Sequence, residues 1–178
     1  MNTATSTPQI APEATGKAAP ILEKIQKSMG KVPNIFKTMA HSPHVLEGYM
    51  QFSGQLRQGV LSPQDRERIA LMLAGFNDCE YCASAHTAFG KKLGLSDEEI
   101  KLCLQAESQD AQAQALLSFC NNVVLHKGFV NPEQIETLHQ AGYTDEAIIE
   151  IVANIAISIF TNYFNHVAGT QNDFRNTH

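Results

Sequence analysis

The sequence predicts an all-α single domain, and three observations predict it. Nearly every segment from Pro20 onward opens on a capping residue or a first-turn proline and closes on glycine. Strand signals are nearly absent, with no alternating β-branched run and no Asn-Gly or Asp-Gly dipeptide. The 178 residues are 43% hydrophobic and 17% charged, which suits one globular unit with a sizeable core. About seven to nine helices of ordinary length fit such a chain.

The elements follow in order. Residues 1–18, rich in Ala, Thr, Pro and Ser, read as a flexible N-terminal arm, and residues 19–178 as the helical domain. Pro20 sits in the first turn of a helix that Gly30 ends, and Pro33 and Pro43 open two further short helices. Ser62-Pro63 caps and starts a helix running to about Phe76. Asp78 is placed to cap a helix from Cys79 to Leu93, with Gly94 as its terminator. Ser96-Asp97-Glu98-Glu99 has the capping-box pattern. Asn131-Pro132 opens a helix that closes at Ala141-Gly142, and Thr144-Asp145-Glu146 opens the last long one. Within it, Ile148–Phe160 is apolar on all sides, so it must be buried, either in the core or against another subunit.

Charge and hydropathy exclude several classes. A net charge of −5 gives no basic face for phosphates, so a nucleic-acid partner is not expected. No uninterrupted apolar run reaches membrane-spanning length, and the N-terminus lacks the apolar core of a secretory signal. The expectation is a cytoplasmic protein with no membrane partner. In a reducing compartment the four cysteines must each be read for chemistry rather than taken as structural staples.

The chemistry concentrates in Asp78-Cys79-Glu80-Tyr81-Cys82-Ala83-Ser84-Ala85-His86. Spacings of three and four put Cys79, Cys82 and His86 on one stripe of one helix. Both cysteines lie in the first turn, where unpaired N–H groups and the helix dipole favour a thiolate. His86, one turn behind Cys82, can take or relay its proton. Cys103 and Cys120 lie on apolar helical patterns and read as small buried hydrophobes. Ala83 after the second cysteine excludes covalent haem attachment, and the lack of strands excludes a thioredoxin fold. Zinc held by Cys79, Cys82 and His86 remains open, although no second ligand pair stands elsewhere to complete a structural site. Glu67, in the preceding helix, reads from spacing alone as a solvated member of the run DRER. A helix folded back beside the Cys helix would instead let it orient His86.

Glu67 followed by Cys79-x-x-Cys82-x-x-x-His86 resembles the active-site pattern of the AhpD-like alkylhydroperoxidases, within the carboxymuconolactone decarboxylase-like superfamily. KVPNIFKTMAHSPHVLEGY, LGLSDEEI and TNYFNHVAGTQNDF resemble its peroxidase-related subgroup, so the likeness covers most of residues 20–175. The resemblance implies an AhpD-like helical bundle that assembles as a trimer or hexamer. It implies Cys82 as the peroxidatic thiolate, Cys79 as the resolving thiol, His86 as the proton acceptor and Glu67 as its partner. The helix dipole by itself favours Cys79 at least as much as Cys82. The family has a His where this chain has Tyr81, a phenol that is a poor base near neutrality.

The implied reaction begins with attack of Cys82 on a hydroperoxide, giving a sulfenic acid that Cys79 resolves to a disulfide. An external dithiol, in the family a lipoylated protein, then restores the pair. No cofactor is expected. Two other classes stay open: a redox-sensing or general disulfide oxidoreductase protein without efficient peroxide turnover, and a zinc-stabilised structural protein. His166 and Asn162 are left without an assigned role.

Overall fold

The helix starts follow the side-chain punctuation closely. In the computed structural model, which describes residues 16–175, α1 spans Ala19–Met29, α2 Asn34–Met39, α3 Pro43–Leu56, α4 Pro63–Phe76 and α5 Glu80–Lys92. The order continues with α6 Asp97–Cys103, α7 Ala111–Leu125, α8 Pro132–Gln140 and α9 Asp145–Ala168. No strand occurs among the described residues, so the fold is all-α with nine helices there. Ser62 accepts the Asp65 N–H at 3.0 Å, and Thr144 accepts the Ala147 N–H at 3.2 Å. Of the arm expected over residues 1–18, residues 1–15 lie outside the described residues. Gly16–Ala18 forms a 3-10 turn in which Ala18 is fully buried.

The capping box expected at Ser96 is half made. Ser96 accepts the Glu99 N–H at 3.1 Å, but Glu99 does not reach back to close the box. Its carboxylate accepts from Arg68 Nε at 2.8 Å and from the Ser108 hydroxyl at 2.7 Å, which tie α4 to the segment after α6. Burial alone would raise the Glu99 carboxyl, but Ser108 and Arg68 outweigh it and hold the group below the usual carboxylate range. The reciprocal box forms instead at Asn131 and Gln134.

Two apolar clusters share α4. One gathers Ile69, Leu71, Met72 and Leu73 of α4 with Leu116 and Leu117 of α7, Leu138 of α8, and Ile151 and Ile155 of α9. The other gathers α1, α2, Leu46 of α3, the start of α5 and Phe174, with Ala74 as the contribution of α4. All six residues from Ile69 to Ala74 are buried, so this stretch of α4 is enclosed all round. Gly75 lets it approach α6 closely, since a Cβ there would collide with the Leu104 carbonyl.

Ile148–Phe160, expected to be buried in the core or against another subunit, meets the core on one face of the helix. The segment lies within the 24-residue α9, and α9 is only half enclosed. Ile151 and Ile155 face the core, while Ile149 and Val167 are 71% and 69% exposed and Val152, Phe160 and Tyr163 are also exposed. The segment is apolar all round because one face meets α4 and the opposite face is an open apolar strip. By length and composition α9 could cross a membrane. Its enclosed face carries Asn154, Ser158, Asn162 and Asn165 at spacings of four and three, and it packs on α4 and α5.

Candidate active site at the start of α5

The connection between α4 and α5 sets the geometry. Asp78 adopts a left-handed conformation (φ 52°), and the Cys79 N–H returns to the Ala74 carbonyl at 2.9 Å. Cys79 is therefore the N-cap of α5, in place of the expected Asp78. Its sulfur accepts the Cys82 N–H at 3.3 Å, as a Ser or Asp oxygen would at an ordinary cap. Asn77 Nδ2 donates to Asn162 Oδ1 at 2.9 Å and pins the connection to α9.

Cys79 and Cys82 are joined by a disulfide, their Cα atoms 5.3 Å apart. Only 1% of Cys79 and 3% of Cys82 is exposed. The pair lies in the apolar cluster with Ile35, Phe36, Met39, Tyr81, Ala85 and Phe174. One polar side chain enters this setting. Asn165 Nδ2 lies 3.3 Å from Cys82 Sγ and 4.0 Å from Cys79 Sγ. Asn165 is itself buried, and its Oδ1 has no hydrogen-bond partner. Leaving a buried carbonyl oxygen unpaired costs about 1–3 kcal/mol, so this amide is not explained by fold stability.

His86 stands one helical turn beyond Cys82, on the same face of α5. Its Nδ1 lies 2.7 Å from Glu67 Oε2, and both side chains are largely shielded. A carboxylate accepts only, so the proton sits on Nδ1 and Nε2 is the ring nitrogen able to take another. The Phe89 ring meets the imidazole edge-on, centroids 6.0 Å apart. All four sequence-derived residues are thus found on two adjacent helices: the bonded sulfur pair and His86 along one stripe of α5, and Glu67 on α4 bonded to His86. No three His, Cys, Asp or Glu side chains among the described residues converge as a metal-ligand set.

Tyr81 does not join them. Its hydroxyl donates to Asp173 Oδ1 at 2.9 Å and accepts the Ile35 N–H at 3.3 Å. Burial, then the Asp173 charge, pushes its phenol far above the ordinary value. Residues 172–175 fasten onto α5 around it. Asn172 donates to Ser84 at 2.9 Å, Phe174 meets the Tyr81 ring edge-on at 5.6 Å, and Arg175 grips the Glu80 carboxylate. Tyr81 anchors residues 172–175 to α5.

The other two cysteines are chemically quiet. Burial raises the Cys103 thiol to about 12, helped by the Glu99 charge, and burial raises Cys120 further. Asn165 and Asp173 were not legible as functional residues, although the spacing of polar residues along α9 contains the signal for Asn165. Of the two undecided residues, Asn162 is buried against Asn77 and His166 is exposed.

Residues 43–120 match the model of the carboxymuconolactone decarboxylase family, from α3 into α7. No curated protein matches the sequence significantly. The fold is similar to that of a peroxidase-related protein with an alkylhydroperoxidase AhpD core from Ralstonia eutropha JMP134 (TM-score 0.83, 24% identity, 94% of each chain). It is similar to a peroxidase-related protein from Silicibacter sp. TM1040 (TM-score 0.80, 21% identity, 93% of each chain). It is also similar to the debrominase Bmp8 (TM-score 0.75, 22% identity, covering 96% of this chain and 92% of that one). These likenesses define an AhpD-like helical fold. The likeness to the carboxymuconolactone decarboxylase family itself is carried by residues 43–120.

Proposed function

We propose that this protein is a thiol-dependent peroxidase that reduces alkyl hydroperoxides through Cys79 and Cys82. The observation that carries the reading is the buried sulfur pair at the head of α5, with His86 one turn along and oriented by Glu67 at 2.7 Å. The Cys82 thiolate attacks the terminal oxygen of the hydroperoxide. The O–O bond breaks, Cys82 becomes a sulfenic acid, and the leaving alkoxide takes a proton delivered by way of His86. The Cys79 thiol then attacks the Cys82 sulfur, releasing water and forming the disulfide. An external dithiol, lipoyl-type by family likeness, reduces it by exchange. Because both sulfurs are covered in the oxidised state, the side chains over them must part before a dithiol can reach them.

The apolar strip of α9 supports assembly into a homo-oligomer. It continues across a groove of about 300 Å³ lined by Val45, Tyr49 and Phe52 of α3 and by Ala156, Ile157 and Phe160 of α9. Such a surface is the kind a second copy covers.

The test is consumption of cumene hydroperoxide with dihydrolipoamide as donor. Many turnovers per chain, lost in Cys82→Ser and in Cys79→Ser, support the reading. Consumption that stops at one equivalent identifies a sensor and refutes turnover. The likeness to Bmp8 favours a second reading, reductive removal of bromine from an aromatic ring by the same pair. Bromide release from a bromopyrrole, with no hydroperoxide consumed, would replace the first reading by the second.

A further inference from the structure

We infer that Asn165 is a catalytic residue of the sulfur pair: its Nδ2–H stabilises Cys82 as the thiolate and so decides which cysteine attacks. The inference rests on the reading of Cys79 and Cys82 as a redox pair. The two sulfurs have different donors. Cys79 Sγ accepts a backbone N–H, from Cys82, at the N-terminus of α5. That arrangement, like the helix dipole, favours negative charge on Cys79. Cys82 Sγ has the Asn165 amide at 3.3 Å, and Cys79 Sγ is further from it at 4.0 Å. A disulfide or thiolate sulfur only accepts, so the amide must turn its NH₂ toward the pair. With Oδ1 unpartnered, the sulfurs are the one bonded reason for the amide to occupy this place.

The stretch of α9 that carries Asn165 is also tied to the connection before α5. Asn162, one turn earlier on α9, is fixed to Asn77 at 2.9 Å, two residues before Cys79. The backbone of Asn165 is therefore positioned against the turn that holds Cys79. Reduction of the disulfide adds two electrons and one proton, breaks the S–S bond and yields the Cys79 thiol and the Cys82 thiolate. The external dithiol supplies both electrons and becomes a disulfide itself. A donor waiting at Cys82 stabilises the reduced, charged state over the neutral disulfide.

The test uses the full chain, reduced, in native form and as Asn165→Ala and Asn165→Asp. The aspartate fills the site almost isosterically, so it keeps the test open if the alanine variant folds poorly. The rate of iodoacetamide alkylation at Cys82 and at Cys79 is followed against pH, with each site resolved by mass spectrometry. Loss of the donor is expected to raise the apparent pKa of Cys82 by about one unit. The Cys82-to-Cys79 alkylation ratio is expected to fall about tenfold near neutral pH. The equilibrium with dihydrolipoamide should move about tenfold toward the protein disulfide, ~30 mV for this two-electron couple. A Cys82 pKa and alkylation ratio unchanged within about twofold in a folded variant overturns the inference. If the native protein turns over no hydroperoxide but both variants shift pKa and equilibrium, the peroxidase reading fails and the role of Asn165 stands.

Discussion

Replacing Tyr81 with Phe separates an anchor from a proton relay. The change removes one oxygen and keeps the ring against Phe174. The lost hydroxyl donates to Asp173 Oδ1 at 2.9 Å and accepts the Ile35 N–H at 3.3 Å. A hydrogen bond to a charged group contributes about 1.5–3 kcal/mol, and a buried N–H left unpaired costs about 1–3 kcal/mol. Asp173 keeps the Asn34 N–H at 3.3 Å and Lys31 at 3.4 Å, so its carboxylate is not stranded. The sum therefore lies at the lower end, about 2–3 kcal/mol. For a domain of this size that lowers Tm by about 5–10 °C. Thermal unfolding by circular dichroism at one scan rate reads the loss. Peroxide turnover against pH, measured well below Tm, should keep its shape. A Tm within about 1 °C of native, or an altered pH profile at unchanged stability, would refute the anchor role.

Three further outcomes are expected. Glu67→Gln keeps the size of the side chain but removes the charge that fixes the proton on His86 Nδ1, and kcat should fall about tenfold or more with little change in Tm. After reduction, native protein should expose two reactive thiols to a disulfide reagent, Cys79 and Cys82, with Cys103 and Cys120 labelled only on unfolding, because both are held protonated by burial. Prompt labelling of a third thiol in folded protein would contradict this. Glu99, with its folded pKa depressed, contributes stability that is fully present above its unfolded value and lost as pH falls through the folded one. Urea unfolding of Glu99→Gln should then show a weaker loss of stability below about pH 4 than native protein, and an unchanged acid limb would count against it.

Much of this architecture is written locally. Ser62-Pro63, Asn131-Pro132 and Thr144 each start the helix their chemistry implies, because a cap needs only its own next three residues. The stripe of Cys79, Cys82 and His86 is equally local. What stayed hidden depends on partners far along the chain. Glu99 spends its carboxylate on Arg68, 31 residues away, so its capping box stays half made. The positive φ of Asp78 moves the cap to Cys79, an effect of the return of the chain onto Ala74. For Ile148–Phe160 the all-round apolar pattern does not say which face meets the core. Tyr81 meets Asp173 across 92 residues and Asn165 meets Cys82 across 83, and the polar spacing along α9 marks Asn165 without naming its partner.

Trapping the first oxidised sulfur shows which cysteine meets the peroxide. Reduced Cys79→Ser protein, given one equivalent of cumene hydroperoxide in the presence of dimedone, should carry a single sulfenic acid adduct, on Cys82. An adduct on another cysteine, or none while the peroxide persists, would show that Cys82 is not the sulfur that takes the oxygen.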